Sequence, residues 1–139
     1  MVCAATLTQA YRETDYRVLG ETPMTLRIGE HSPALAALMA RHGVAACAFI
    51  TACNPRSQLL DEAENARRQQ ALAAELRARK LPCLAGVGEH PRGGWPGEPS
   101  FLVLGLSRQA ADELGQRYQQ NAVVWCAADA VPELLLHPG

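Results

Sequence analysis

Residues 44–53, VAACAFITAC, are apolar at every position but Thr51 and stop at Asn54-Pro55. A strand with one wet face alternates apolar and polar side chains, so a run that does not alternate has to be covered on both faces. Even counted from Gly43, the run is far short of the roughly 20 apolar residues that cross a bilayer. It predicts a central strand of a layered domain. A chain of 139 residues that is 48 % hydrophobic supplies one such core and no second.

The flanking segments supply the layers. Residues 6–16 read as a helix with Ala10 and Tyr11 inward. Met24, Leu26 and Ile28 alternate with polar neighbours as in a half-buried strand. Ser32-Pro33 starts a helix that carries Leu35, Leu38 and Met39 at helical spacing and ends at Gly43. Asp61 with Glu64 three positions on resembles a capping box. It opens a long helix that buries Ala63, Ala66, Leu72, Ala73 and Leu76, keeps Arg67, Arg68, Arg77 and Arg79 wet, and closes at Pro82. Strands follow near 83–87, 100–106 and 121–127, with a Ser107-capped helix before the last. The expectation is a single α+β (α/β-like) domain over 1–139, a mixed central sheet of about five strands with helices packed on it, and flexible tails at 1–5 and 133–139. A shift of 76 positions superposes Gly29 on Gly105, Ala34 on Ala110, Leu38 on Leu114 and Phe49 on Trp125. Both segments read strand, helix, strand, the content of a βαβ unit in a ferredoxin-like arrangement with a parallel strand pair.

Charge and motifs exclude several function classes. With 13 basic and 14 acidic residues, no field draws the chain to nucleic acid or to an anionic membrane. The arginines of the long helix are balanced there by Asp61, Glu62, Glu64 and Glu75. Five cysteines without a CxxC pair, three of them (Cys47, Cys53, Cys126) in apolar segments, read as free thiols of a reduced compartment. The N-terminus lacks a basic start followed by an apolar core, so a cytoplasmic location is expected. His31, His42, His90 and His137 have no ligand-like spacing, and GxGxxG, GxxxxGK[ST] and GxSxG do not occur. Neither a metal nor a cofactor is expected.

What remains is a polar cluster at strand ends. Asn54, Pro55, Arg56 and Ser57 follow the central strand and precede a helix N-terminus, a position where open sheets bind ligands and where helix N–H groups and an arginine favour an anion. Asn65 and Arg68 share a helix face three positions apart. The turn GEHPRGGWPGEPS adds Glu89, His90, Trp95, Glu98 and Ser100, with Trp95 as a stacking surface and Glu98 as the one candidate acid or base of the pocket set. All of these also have an ordinary reading as turn, cap and solvated-face residues. Cys53 sits where a helix N-terminus can lower a thiol pKa, yet no histidine is near it in sequence, and a buried inert thiol is the preferred reading over a nucleophile.

Taken in order, AYRETDYRV, LRIGE, FITACNPRSQ, AENARRQQALAAEL, WPGEPSFLVLGL and QNAVVW resemble the bacterial DUF3293 family of uncharacterised proteins, from about Tyr11 to about Pro132. The resemblance implies a small stand-alone protein and no assigned reaction. It falls on Asn54, Pro55, Ser57, Glu64, Asn65, Glu98, Ser100, Gln120, Asn121 and Ala122. A bulky aromatic is common in the family where this chain has Cys53, which weakens the nucleophile reading. The resulting expectation is a pocket formed by Asn54, Arg56, Ser57, Asn65, Arg68, Trp95 and Glu98 that takes a small anionic or nucleotide-like ligand, in a monomer or homodimer. The rival is a non-catalytic interaction module that uses the Trp95 turn and a sheet edge.

Overall fold

The computed structural model describes residues 4–93 and 97–137. In chain order the elements are α1 (Ala4–Glu13), β1 (Asp15–Val18), β2 (Met24–Leu26), α2 (Pro33–His42), β3 (Cys47–Ile50), a 3-10 turn (Pro55–Ser57), α3 (Glu62–Ala78), β4 (Cys83–Glu89), β5 (Glu98–Leu104), α4 (Arg108–Arg117), β6 (Ala122–Cys126) and β7 (Glu133–Leu136). The strands form one sheet in the order β2-β1-β4-β5-β3-β6-β7.

The apolar run becomes β3, and all four of its residues are buried. Its two faces meet different layers. Cys47 and Phe49 pack with Leu102, Leu104 and Val124 beneath Leu35, Leu38 and Met39 of α2. Ala48 and Ile50 pack with Val103 and Val123 beneath Leu72 and Leu76 of α3 and Ala111 and Leu114 of α4. Side-chain caps start the helices where the sequence places them. Ser32 Oγ accepts from Leu35 N at 3.1 Å, Asp61 Oδ1 from Glu64 N at 2.7 Å and Ser107 Oγ from Ala110 N at 3.1 Å. Gly43, at φ 64°, ends α2 in the left-handed region.

Three expectations are corrected. The sheet is not mixed: all six pairings are antiparallel, with no directly paired parallel strands among the described residues. Parallel-running β3 and β4 are separated by β5, and β5 and β6 by β3, so α3 and α4 each cross over one intervening strand. Second, the sheet has seven strands rather than about five. α1 stops at Glu13, and Tyr16 and Val18 turn inward from β1 while Arg17 stays out. Third, residues 133–136, expected in a tail, pair with β6 from Trp125↔Glu133 to Ala122↔Leu136. The segments matched by the 76-residue shift are not equivalent, since α2 and α4 cover opposite faces.

Candidate functional site

After β3 the chain turns sharply, and its polar side chains are used to hold that turn. Asn54, Arg56 and Ser57 all have positive φ (49°, 54° and 59°) without being glycine. Asn65 Oδ1 accepts from Asn54 N at 2.9 Å, and Asn65 Nδ2 donates to Asn54 Oδ1 at 2.8 Å. The same Asn54 oxygen accepts from Leu60 N at 2.9 Å. Gln69 Oε1 accepts from Ala52 N, Arg68 Nε donates to Ala52 O at 2.6 Å, and Gln120 Nε2 donates to Cys53 O at 3.1 Å. Asn65, Gln69, Arg68 and Gln120 thus satisfy backbone groups of residues 52–54 that β3 leaves unpaired as it exits the sheet, and Asn54 in turn satisfies Leu60 N.

The outcome is a hollow of about 440 Å³ on the α2 face of the sheet, beside the end of α1. A volume of this order suits a small metabolite. Its lining includes the polar side chains of Asn54, Ser57, Glu98 and Ser100 and the aromatic residues Tyr11, Tyr16 and Phe49. Asn54 Nδ2 donates to Glu98 Oε2 at 2.7 Å, so the carboxylate is tied to the loop. Tyr16 Oη donates to Tyr11 O at 3.0 Å, and the Tyr16 and Phe49 rings meet edge to face with centroids 5.3 Å apart.

Two glycines of β4 shape the floor for different reasons. A Cβ on Gly86 would come within 2.7 Å of the Phe49 ring and 2.9 Å of Arg17 O, so the ring fills the space the glycine leaves. A Cβ on Gly88 would meet only Thr14 Cγ2 at 3.8 Å and Tyr16 Cδ1 at 3.9 Å. Gly88 is not among the glycines with positive φ, and it lines the hollow. Neither backbone geometry nor packing calls for a glycine there; a side chain would simply occupy the hollow.

Of the residues expected to bind a ligand, Asn54, Ser57 and Glu98 line the hollow. Asn65 stands behind them as the partner of Asn54. Both arginines are turned elsewhere. Arg68 bonds the carbonyls of Ala52 and Tyr118, and Arg56 reaches His137 O at 3.4 Å. Carbonyls just past β3 and α4 take the Arg68 guanidinium as donor and one just past β7 takes that of Arg56, so neither arginine lines the hollow. Trp95 lies outside the described residues. Tyr16, Phe49, Thr51 and Gly88 were not anticipated at the site. The alternation of Tyr16, Arg17 and Val18 in β1 was the signal for the first.

Burial pushes the Tyr11 phenol above its ordinary pKa, opposed by a hydrogen bond with Ser57 and reinforced by the charge of Glu98. The Tyr16 phenol is also raised, chiefly by burial. Burial raises the Cys53 thiol as well. Its sulfur lies 3.7 Å from Pro99 O and 3.8 Å from Gln69 Oε1, and it does not line the hollow. The setting favours the thiol over the thiolate, which supports the inert reading.

His90, also on the lining, accepts from Arg92 N through Nδ1 at 3.3 Å, and its Nε2 lies 3.7 Å from Glu13. Among the described residues no group of three or more His, Cys, Asp or Glu is placed to hold a metal, and no helix is long and apolar enough to cross a membrane.

Several residues that carry the resemblance gather here: Asn54, Ser57, Glu98, Ser100, Gln120 and Ala122 line the hollow, and Asn121 Nδ2 donates to Ser57 Oγ at 2.7 Å. In comparisons with known proteins, residues 50–123 match the family model described as protein of unknown function, DUF3293. No curated protein and no solved structure matches the chain.

Proposed function

The chain belongs to the DUF3293 family, and from the geometry of its own hollow we propose that it binds a small molecule on the α2 face of the sheet. The carrying observation is Gly88, a strand glycine that no backbone angle or neighbour requires, on the lining of a hollow that Asn54, Ser57 and Glu98 share with Tyr11, Tyr16 and Phe49. Interior strand glycine weakens a sheet, and space for a bound group gives it a use. The strained Asn54–Ser57 loop belongs to the same picture, since backbone strain concentrates where a site must hold its shape.

The anionic or nucleotide-like ligand suggested by the sequence relied on Arg56 and Arg68, neither of which lines the hollow. The proposal therefore keeps the small ligand and its contacts with Asn54, Ser57 and Glu98 and leaves out the arginine clamp. Glu98 and His90 are the lining side chains suited to proton transfer. The order β4-β5-β3-β6, with α3 and α4 on one face, supports reading residues 47–126 as a ferredoxin-like unit extended at both edges. The free thiols at Cys47, Cys53 and Cys126 support a cytoplasmic protein.

A thermal-shift screen of small metabolites against the wild type and Gly88→Leu tests the reading. Ligands should raise the melting temperature of the wild type and lose that effect when leucine fills the hollow. A screen without a hit, or hits that stabilise both proteins equally, would count against it.

A second reading, self-association, has one observation in its favour. β7 is an edge of the sheet, and its Leu136 is 48 % exposed. Sedimentation equilibrium decides it: a dimer weakened by Leu136→Lys supports the edge contact, and a monomer at every concentration removes it.

A further inference from the structure

We infer that the hollow takes a small uncharged molecule with a mainly apolar body and no more than one or two hydrogen-bond acceptors. This rests on the ligand reading above and adds its chemical class.

The lining spends its hydrogen-bond donors inside the protein. Thr14 Oγ1 donates to Ala10 O at 2.7 Å, and Tyr16 Oη to Tyr11 O at 3.0 Å. Thr51 Oγ1 donates to Pro99 O at 2.7 Å, and Ser100 Oγ to Glu98 O at 3.0 Å. A hydroxyl has one proton, so none of these four has one left for a ligand. The Gln120 amide has two, and they go to Cys53 O at 3.1 Å and Tyr118 O at 3.2 Å. The backbone is engaged as well: Gly88 lies in the ladders with both β1 and β5, and Gly93 N donates to His90 O at 3.0 Å. Among the described hydroxyl and amide groups of the lining, two protons remain. One belongs to the Asn54 amide, which gives its other to Glu98 Oε2 at 2.7 Å. The second belongs to Tyr11 and Ser57, whose hydroxyls share one bond while Ser57 Oγ accepts from Asn121 Nδ2.

A charged ligand finds no better reception. The described lining has neither Lys nor Arg, so an anion would give up its water without meeting an opposite charge. Glu98 is held by Asn54 and takes part in a further interaction, so a cation would have to displace existing partners to reach it. The ring nitrogens of His90 have protein neighbours too, Arg92 N and Glu13. Over most of its surface the hollow is instead apolar, with Phe49, Val123, Val124 and Leu134 on the lining and free space over Gly88. A carbon body gains by leaving water there, whereas each acceptor beyond the two available protons would leave water for no donor.

Four probes with a flat bicyclic ring separate the possibilities: 2-naphthalenemethanol, 2-naphthylmethylamine, 2-naphthoate and adenosine, titrated by calorimetry at neutral pH into the full chain. The alcohol should bind about tenfold or more tighter than each of the other three, the size expected when one polar or charged group is left without a partner. Its binding should be lost in Gly88→Leu. Should that variant not fold, amide shifts of Gly88 and Ser100 in the wild type on adding the alcohol serve in its place. Amine, carboxylate or adenosine binding as tightly as the alcohol would overturn the uncharged apolar class and leave the ligand site standing. Alcohol binding that is undiminished in Gly88→Leu, or that leaves those amides unmoved, would put it outside the hollow and overturn the assignment. Absence of binding by all four would also overturn it, while the metabolite screen above continues to decide whether the hollow is a site at all.

Discussion

Asn54, Arg56 and Ser57 each hold a left-handed backbone conformation that costs an L-residue about 1 kcal/mol or more. The loop keeps it because Asn65 bonds both the backbone and the side chain of Asn54. Asn65→Ala should therefore lower stability by about 1–3 kcal/mol, the cost of leaving the Asn54 groups unpaired, seen as a lower urea midpoint with an unchanged slope. The β4 glycines make a paired prediction in thermal denaturation. Gly86→Ala drives a methyl into the Phe49 ring and should cost about 1–3 kcal/mol. Gly88→Ala meets nothing closer than 3.8 Å and should be neutral or stabilising by up to about 1 kcal/mol. At this scale the sequence exposes residue types and hides their direction. Asn54, Ser57 and Glu98 were legible because polar residues at strand ends meet in space. The carbonyl partners of Arg56 and Arg68 were not legible, because which carbonyls come within reach of a guanidinium is settled only by the fold.

Helix caps and the central strand were legible because their signals are local. The β1 and β7 strands were not, because they are four residues each and their pattern competes with an adjoining helix or an apparent tail. Between elements, Glu75 of α3 acts as the tie to α4. Arg79 and Tyr118 donate to it at 2.9 and 3.0 Å, and Arg117 pairs with it. Burial alone would raise its carboxyl, but hydrogen bonds from Tyr118, Arg79 and Arg117 bring it below the ordinary value. With the folded pKa depressed, the stabilisation is present above the unfolded pKa of about 4.3 and is lost as pH falls through the lower folded value. Glu75→Gln should cost about 1 kcal/mol at neutral pH, and the melting temperatures of variant and wild type should converge in acid.

For the molecule as a whole, the titrating groups whose pKa values are raised point to weakness in alkali. Burial raises the Tyr11 and Tyr16 phenols and the Cys53 thiol, and a hydrogen bond with Cys47, then burial, raises Cys126. These groups stay neutral in the fold while the unfolded chain ionises. Their contribution is complete below the unfolded values, about 8.5 for thiols and 10 for phenols, and is lost as pH rises through the raised folded values. Circular-dichroism melts should show a steady melting temperature from pH 7 to about 8.5 and a progressive fall above it; an unchanged value up to about pH 11 would contradict the buried, neutral assignment. The two-sided burial of the sheet was legible from residues 44–53, and the Tyr11 and Tyr16 side of the hollow was not, because it depends on α1 ending at Glu13 and β1 bringing Tyr16 beside Gly88. The most direct examination of that hollow is backbone amide shift mapping by NMR during titration with a small molecule that raises the melting temperature of the wild type and not of Gly88→Leu. The largest changes should fall on Tyr16, Asn54, Gly88 and Ser100, around the hollow. Changes centred instead on Arg108, Gln109 and Leu136, which line a separate groove between α4 and β7, or scattered over the surface, would show that the hollow is not the binding site.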